Sequence, residues 1–207
     1  MPVLRLKSLP ALAACLMLAG CGAIPWSTQL KLRSFDPLTF DPAVPRAAVL
    51  ITDRLRVLPG QARLRIAHWR RDSPHARSEE VFTLQEIREP APETLEAARN
   101  DNERVLVFRL RPEDIVRARR LQSEFAERKL REPDTYQAEL LSDISACATA
   151  PLPVGSVPAT LYLKLDAAHG YLPFLQGVDL RDLARSAGKR LDEEVRPCPP
   201  EGKRQAG

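Results

Sequence analysis

The chain has 207 residues, with 31 Lys+Arg against 27 Asp+Glu, a formal net charge of +4, 44% apolar residues and 5% aromatics. Together with 9 Gly, 19 Pro and 4 Cys, these proportions exclude a disordered polyelectrolyte tail, a collagen-like repeat and a disulfide-dense mini-protein. A polytopic membrane protein is excluded as well, because the one long apolar run lies at the extreme N-terminus, and the length suits one domain or two small ones.

The first element is an export signal. Arg5 and Lys7 form a positive segment, Leu9 to Leu18 an apolar one, and the small residues Ala19 and Gly20 follow. Charge, apolar run and small residues stand in the order of a secretory signal peptide, and the run falls short of the ~20 residues a spanning helix needs. The competing reading is a short buried helix at the start of a cytosolic domain. The sequence Leu18-Ala19-Gly20-Cys21 resembles the lipobox of bacterial lipoproteins. The resemblance implies cleavage before Cys21 by a type II signal peptidase, a diacylglyceryl group on the Cys21 thiol, and acylation (palmitate) of the new amine. Three chains would anchor firmly where one anchors marginally. Gly22, rather than Asp, follows the cysteine, which in such lipoproteins implies sorting to the outer membrane, periplasmic side. The resemblance implies a signal peptide at 1–20 and a lipidated tether at 21–27; the rest of the chain reads as a single globular periplasmic domain at 28–198 and a disordered tail at 199–207. Cleavage discards Arg5 and Lys7 and no acid, so the net charge falls from +4 to +2. The remaining charges are interspersed, which excludes the concentrated basic surface of a nucleic-acid binder.

Along the mature chain, Thr28–Arg33 alternates as a strand, and Asp36–Pro45, with two Asp-Pro steps, is a turn-rich crossing. Arg46–Thr52 is a short apolar strand. Pro59-Gly60 is a turn signal, and Gln61–Trp69 alternates, with Ala62, Leu64, Ile66 and His68 on one side. Asp72-Ser73-Pro74 predicts a hairpin into a strand over Glu80–Arg88. A short helix is expected over Glu93–Arg99. Arg104–Arg111 is the clearest strand, with Val105, Val107 and Arg109 facing one way and Leu106, Phe108 and Leu110 the other, and it should be central.

Pro112–Arg131 is the confident long helix: proline at its first position, Glu113 and Asp114 in the first turn, Lys129 and Arg131 in the last, and Pro133 beyond. Its apolar face gathers Ile115, Ala118, Leu121, Phe125 and Ala126, so it should pack on the sheet rather than lie on a membrane. Strands follow at Glu139–Ala148 and Ala159–Asp166, separated by the proline-rich loop Pro151–Pro158. Asp166 to Gly170 should turn into Tyr171–Phe174, and Val178–Ala187 should form a last helix ended by Gly188. Seven or eight short strands and one long helix predict a mainly β, antiparallel, sandwich-like domain with one packed helix, an α+β layered domain being the alternative.

Cys147 and Cys198 remain once Cys21 is set aside. In an oxidising compartment they would pair, closing a loop of about 50 residues worth roughly 4 kcal/mol in the chain-entropy model. Two free thiols or a metal site are the alternatives; a metal would want more ligands than His169 and no CxxC spacing supplies them.

Chemistry leaves little trace. GxSxG, HExxH, P-loop and GxGxxG motifs are missing from the sequence. Of three histidines, His68 falls in phase with apolar strand residues, His75 sits by a turn, and His169 beside Gly170, three residues after Asp166, is the best catalytic candidate, although a turn-stabilising Asp explains that spacing equally well. Glu79-Glu80 and Glu193-Glu194 read as solvated. Trp26 could meet the membrane interface; Tyr171 and Phe174 fit the core or a partner surface. The stretch YLPFLQGVDLRDL with a later cysteine resembles uncharacterised proteobacterial lipoproteins and implies no activity. The expectation is a membrane-anchored, non-catalytic binding, scaffolding or envelope-assembly module without cofactor, its partners being the membrane through its lipid and an envelope protein. A periplasmic hydrolase with a scattered site is the alternative.

Overall fold

The computed structural model describes residues 25, 28, 36, 38–88, 93–133, 135–167 and 170–200. The signal peptide, Cys21, Trp26, His169, the strand expected at Thr28–Arg33 (Thr28 apart) and the last residues of the tail lie outside them. In chain order the elements are β1 (Arg46–Thr52), β2 (Leu55–Arg70), β3 (Ser73–Ile87), α1 (Glu93–Ala97), β4 (Glu103–Leu110), α2 (Pro112–Arg131), β5 (Tyr136–Ala148), β6 (Pro158–Lys164), β7 (Leu172–Asp179), α3 (Leu180–Ser186) and α4 (Leu191–Glu194). The strands form one antiparallel sheet in the order β5-β2-β3-β4-β1-β6-β7.

The mainly β, antiparallel domain with one long packed helix is the observed architecture. Its sandwich character comes from a sheet folded over itself. β3 is the shared strand, pairing with β2 from Ser73 to Thr83 and with β4 from Leu84 to Ile87. Leu55, Val57 and Ala62 of β2 pack in one core with Ile51 of β1 and Leu106 and Phe108 of β4, strands that are not β2's neighbours in the sheet.

β4 is central, and its two phases feed two cores. Leu106 and Phe108 enter the fold-over core, while Val107 packs on the other face with Ala48 and Leu95, the buried residue of α1. A strand buried on both sides has no solvated phase, which is why its middle, residues 105–108, is an unbroken apolar run. Tyr171 borders this second cluster, so it closes the core.

The helix α2 runs over Pro112–Arg131, as its signals dictate. Ala118 and Leu121 pack on Phe82, which is fully buried, with Leu64, Ile66, Leu110 and Phe125 around them. Its start is pinned to β3, since the Thr83 N–H donates to Asp114 Oδ2 at 3.1 Å. One turn on, the Arg117 guanidinium donates to the Val81 carbonyl and lies 4.6 Å over the Phe82 ring. Before β1, Asp41 accepts the Ala43 N–H at 3.1 Å, a proline-led turn of the kind the Asp-Pro steps predict.

Two local expectations are corrected. Pro59-Gly60 does not end a strand: β2 continues through it as a bulge, with Val57 opposite Ala146 but Ala62 opposite Ile144. Proline has no N–H for the ladder, and Gly60 takes φ +77°, so the pair bulges out of register while the strand resumes beyond. Tyr171–Phe174 is not a simple connection either: Leu172–Asp179 is the edge strand β7, a position that tolerates Pro173, and helix α3 begins at Leu180 rather than Val178. Asp179 is the boundary, its Oδ1 accepting N–H groups from Arg181 (2.9 Å) and Val157 (3.1 Å).

Candidate functional site

Cys147 and Cys198 are joined, with sulfurs 2.03 Å and Cα atoms 4.8 Å apart. Cys147 is buried at the end of β5. The C-terminal segment lies against that strand end, the Ala148 N–H donating to Arg196 O and the Cys198 N–H to Ala148 O, both at 2.8 Å. The two expected cysteine partners are thus brought together, and the bond fastens residues 196–198 beside β5.

The other titratable candidates do not converge. His68 sits edge-on to Phe125, ring centroids 4.9 Å apart, and burial, aided by the Arg128 charge, pushes its pKa below the ordinary value. His75 is exposed near the β2–β3 hairpin. Glu79 and Glu80 project to opposite faces, Glu79 toward Arg65 (3.4 Å) and Glu80 toward Arg117 (3.6 Å); Glu193 pairs with Arg190 and Glu194 with Lys189. Among the described residues, three metal-ligating side chains do not gather anywhere, and no helix is long and apolar enough to cross a membrane.

The feature that sequence reading missed is a cleft of about 880 Å³ where the folded-over sheet opens. One wall is the β2 bulge, Leu58 to Gly60. The floor is the same face of β3 and β4 that feeds the core, with Leu84 and Phe108. The start of α2 closes one end. Four arginines line it, Arg56, Arg88, Arg104 and Arg111, against two glutamates, Glu86 and Glu113. They come from separate segments: β2, the residue after β3, β4, and the residue preceding α2.

Arg104 is the innermost of them. It shares strand phase with Leu106 and Phe108, so its stem enters the core face and its head donates to the Leu55 carbonyl. Its Nε is buried and has no hydrogen-bond acceptor among the described residues. Burial lowers the pKa of Arg104, and neighbouring Arg56 lowers it further, while Glu86 and Asp53 act in the opposite sense. Arg111 sits nearer the rim, its Nη1 3.4 Å from Glu113 Oε1. The Gly60 backbone passes beside it, such that a Cβ there would lie 3.8 Å from Arg111 Nη2. One signal was available in the sequence: Arg104 occupies the phase of Leu106 and Phe108, and a cation on a core-facing phase needs a reason. The opposing wall was not readable, because the Pro59-Gly60 bulge that forms it looks like an ordinary turn.

No family model, no curated protein and no solved structure matches the chain.

Proposed function

We propose that the chain is a lipid-anchored lipoprotein of the bacterial envelope, held through Cys21 on the periplasmic side of the outer membrane, where it acts as a non-catalytic binding module. The observation that carries this reading is the Cys147–Cys198 bond, because structural disulfides persist in oxidising compartments and the signal-like N-terminus leads to one. Small-molecule sites are concave, and the arginine-lined cleft supplies such a surface. Its polar lining is dominated by guanidinium groups, which stay protonated and hold anions, a character suited to binding rather than to proton transfer.

Metabolic labelling with an alkyne palmitate analogue, followed by envelope fractionation, tests the anchor. The wild-type chain should carry label and sediment with outer membranes, while Cys21→Ser should lose both. An unlabelled wild-type chain, or a Cys21→Ser chain that matures and sediments identically, overturns the reading. Thiol alkylation of the protein taken from cells without reductant should leave Cys147 and Cys198 unmodified.

A further inference from the structure

We propose that the cleft binds an amphiphilic anion, its phosphate or carboxylate head held by Arg88, Arg104 and Arg111 and its apolar body laid along Leu58 and Leu84, above the buried Phe108. This rests on the reading of the chain as a binding module and names the chemistry of what it binds.

Three observations converge on it. The first is charge. Four guanidinium groups face two carboxylates across one recess, an excess of positive charge held near low-dielectric wall. A planar guanidinium fork matches carboxylate and phosphate oxygens two at a time, so arginine is the cation suited to such a head. The second is the unmet donor. Arg104 has a buried Nε with no acceptor among the described residues, and a buried donor left unpaired is costly enough to need an explanation. An anion drawn into the cleft offers acceptors where the protein does not. The third is the floor. Val57, Ala62 and Phe108 belong to the principal core, and the cleft reaches that core between the bulge and β3. Those core residues are already dry, but Leu58 and Leu84 stand half-buried above them in the cleft; a small hydrophilic anion would leave that apolar surface wet, whereas a chain or ring attached to the head would cover it. The volume of about 880 Å³ lies within the range of small-molecule sites and exceeds what a bare phosphate fills.

The test uses the full chain in phosphatidylcholine nanodiscs, titrated calorimetrically against an empty-nanodisc blank. The probes are octyl phosphate, octanoate, inorganic phosphate and the neutral octyl glucoside. Octyl phosphate or octanoate should bind saturably at one per chain, inorganic phosphate at least tenfold more weakly, and octyl glucoside without saturation. Arg88→Gln and Arg111→Gln should each weaken the anionic amphiphile about tenfold, the loss expected for one charge-assisted hydrogen bond. These rim arginines are chosen because Arg104, bonded to Leu55, also supports the fold. Leu58→Ser should weaken octyl phosphate and leave inorganic phosphate unchanged. Equal binding of inorganic and octyl phosphate would show a bare anion site and overturn the proposal. So would saturable binding of octyl glucoside, lack of saturable binding by both anionic amphiphiles, or unchanged affinity in the arginine variants. Palmitate labelling reports the anchor separately. A labelled chain that ignores octyl phosphate refutes the cleft alone, and an unlabelled chain that binds it refutes the anchor alone.

Discussion

Two arginine-rich regions of this molecule use the same side chain in opposite ways. In the C-terminal region, Arg181 is satisfied at every nitrogen. Its Nε donates to Gly155 O at 2.8 Å, its Nη2 to Pro153 O at 2.6 Å, and its Nη1 to Asp192 Oδ2 at 2.6 Å. The carbonyls belong to the proline-rich loop between β5 and β6, which has no ladder of its own, so this guanidinium, together with Arg54 on the Pro151 carbonyl, fastens the segment through its backbone acceptors. In the cleft the balance is reversed: among its lining residues, guanidinium groups outnumber carboxylates. The difference sets an arginine whose donors are all spent on the fold against a recess in which positive charge exceeds negative. Each prediction below either widens that separation or collapses it.

The largest effect should come from the covalent half of the C-terminal region. The Cys147–Cys198 bond closes a loop with a sequence separation of 51. In the chain-entropy model that is worth about 4 kcal/mol. Urea unfolding of the reduced protein, or of the Cys147→Ser/Cys198→Ser double variant, should show a loss of that order. A loss below ~1 kcal/mol would mean that the clamp around Arg181, and not the bond, carries the C-terminal segment. Arg181→Met should come next. It removes three acceptor contacts together and leaves the Asp192 carboxylate, now held below its ordinary pKa by Arg181, without that cation. Hydrogen exchange should accelerate at the Val157 and Leu180 amides, which close the same corner through Asp179 and Val157. Arg181→Lys should not restore protection, because an ammonium cannot span the fork. Full rescue by lysine would remove Arg181 from the structural class.

The sequence disclosed these two regions unequally, and the reason is physical. β4 and α2 were legible to the residue or nearly so, since β4 is buried on both faces and α2 carries proline, acids and bases at the positions that helix ends favour. The cysteine pair was legible because two thiols in a chain whose sequence reads as exported have few fates. The edge strand β7 was hidden by Pro173, and α4 by its four-residue length. Cleft formation depends on the sheet folding over along β3, bringing Arg56 of β2 near Arg104 of β4 across 47 intervening positions. Periodicity describes one strand at a time and is silent on that juxtaposition. Arg104 alone, in phase with Leu106 and Phe108, announced that one side of the site existed.

A smaller effect than either should appear in acid at Asp179. Amide donors from Val157 and Arg181 hold its carboxyl below the ordinary 3.8. A depressed folded pKa contributes stability that is present above the unfolded value and disappears as pH falls through the folded one. Asp179→Asn keeps the acceptor and removes the titration. Wild type should therefore exceed the variant in stability near neutrality, and the difference should shrink as pH drops below about 3.8. A constant difference across that window would assign the stabilisation to hydrogen bonding alone.

The smallest stability effect is the one that decides the comparison. Arg88 and Arg111 occupy the cleft rim, and the Arg111 pair with Glu113, at 3.4 Å with both side chains well exposed, is of the class that contributes about 0–1 kcal/mol. Arg88→Gln and Arg111→Gln should each change the unfolding free energy by no more than about 0.5 kcal/mol. Removing both should not add a penalty, because each substitution also relieves repulsion from Arg56 and Arg104 in the same recess. Chemical denaturation of the two single variants and the double, set beside Arg181→Met, makes the measurement. Were the rim variants to lose as much as the clamp variant, the cleft arginines would be struts of the fold like Arg181, and their gathering around an apolar floor would no longer point to an anion from outside.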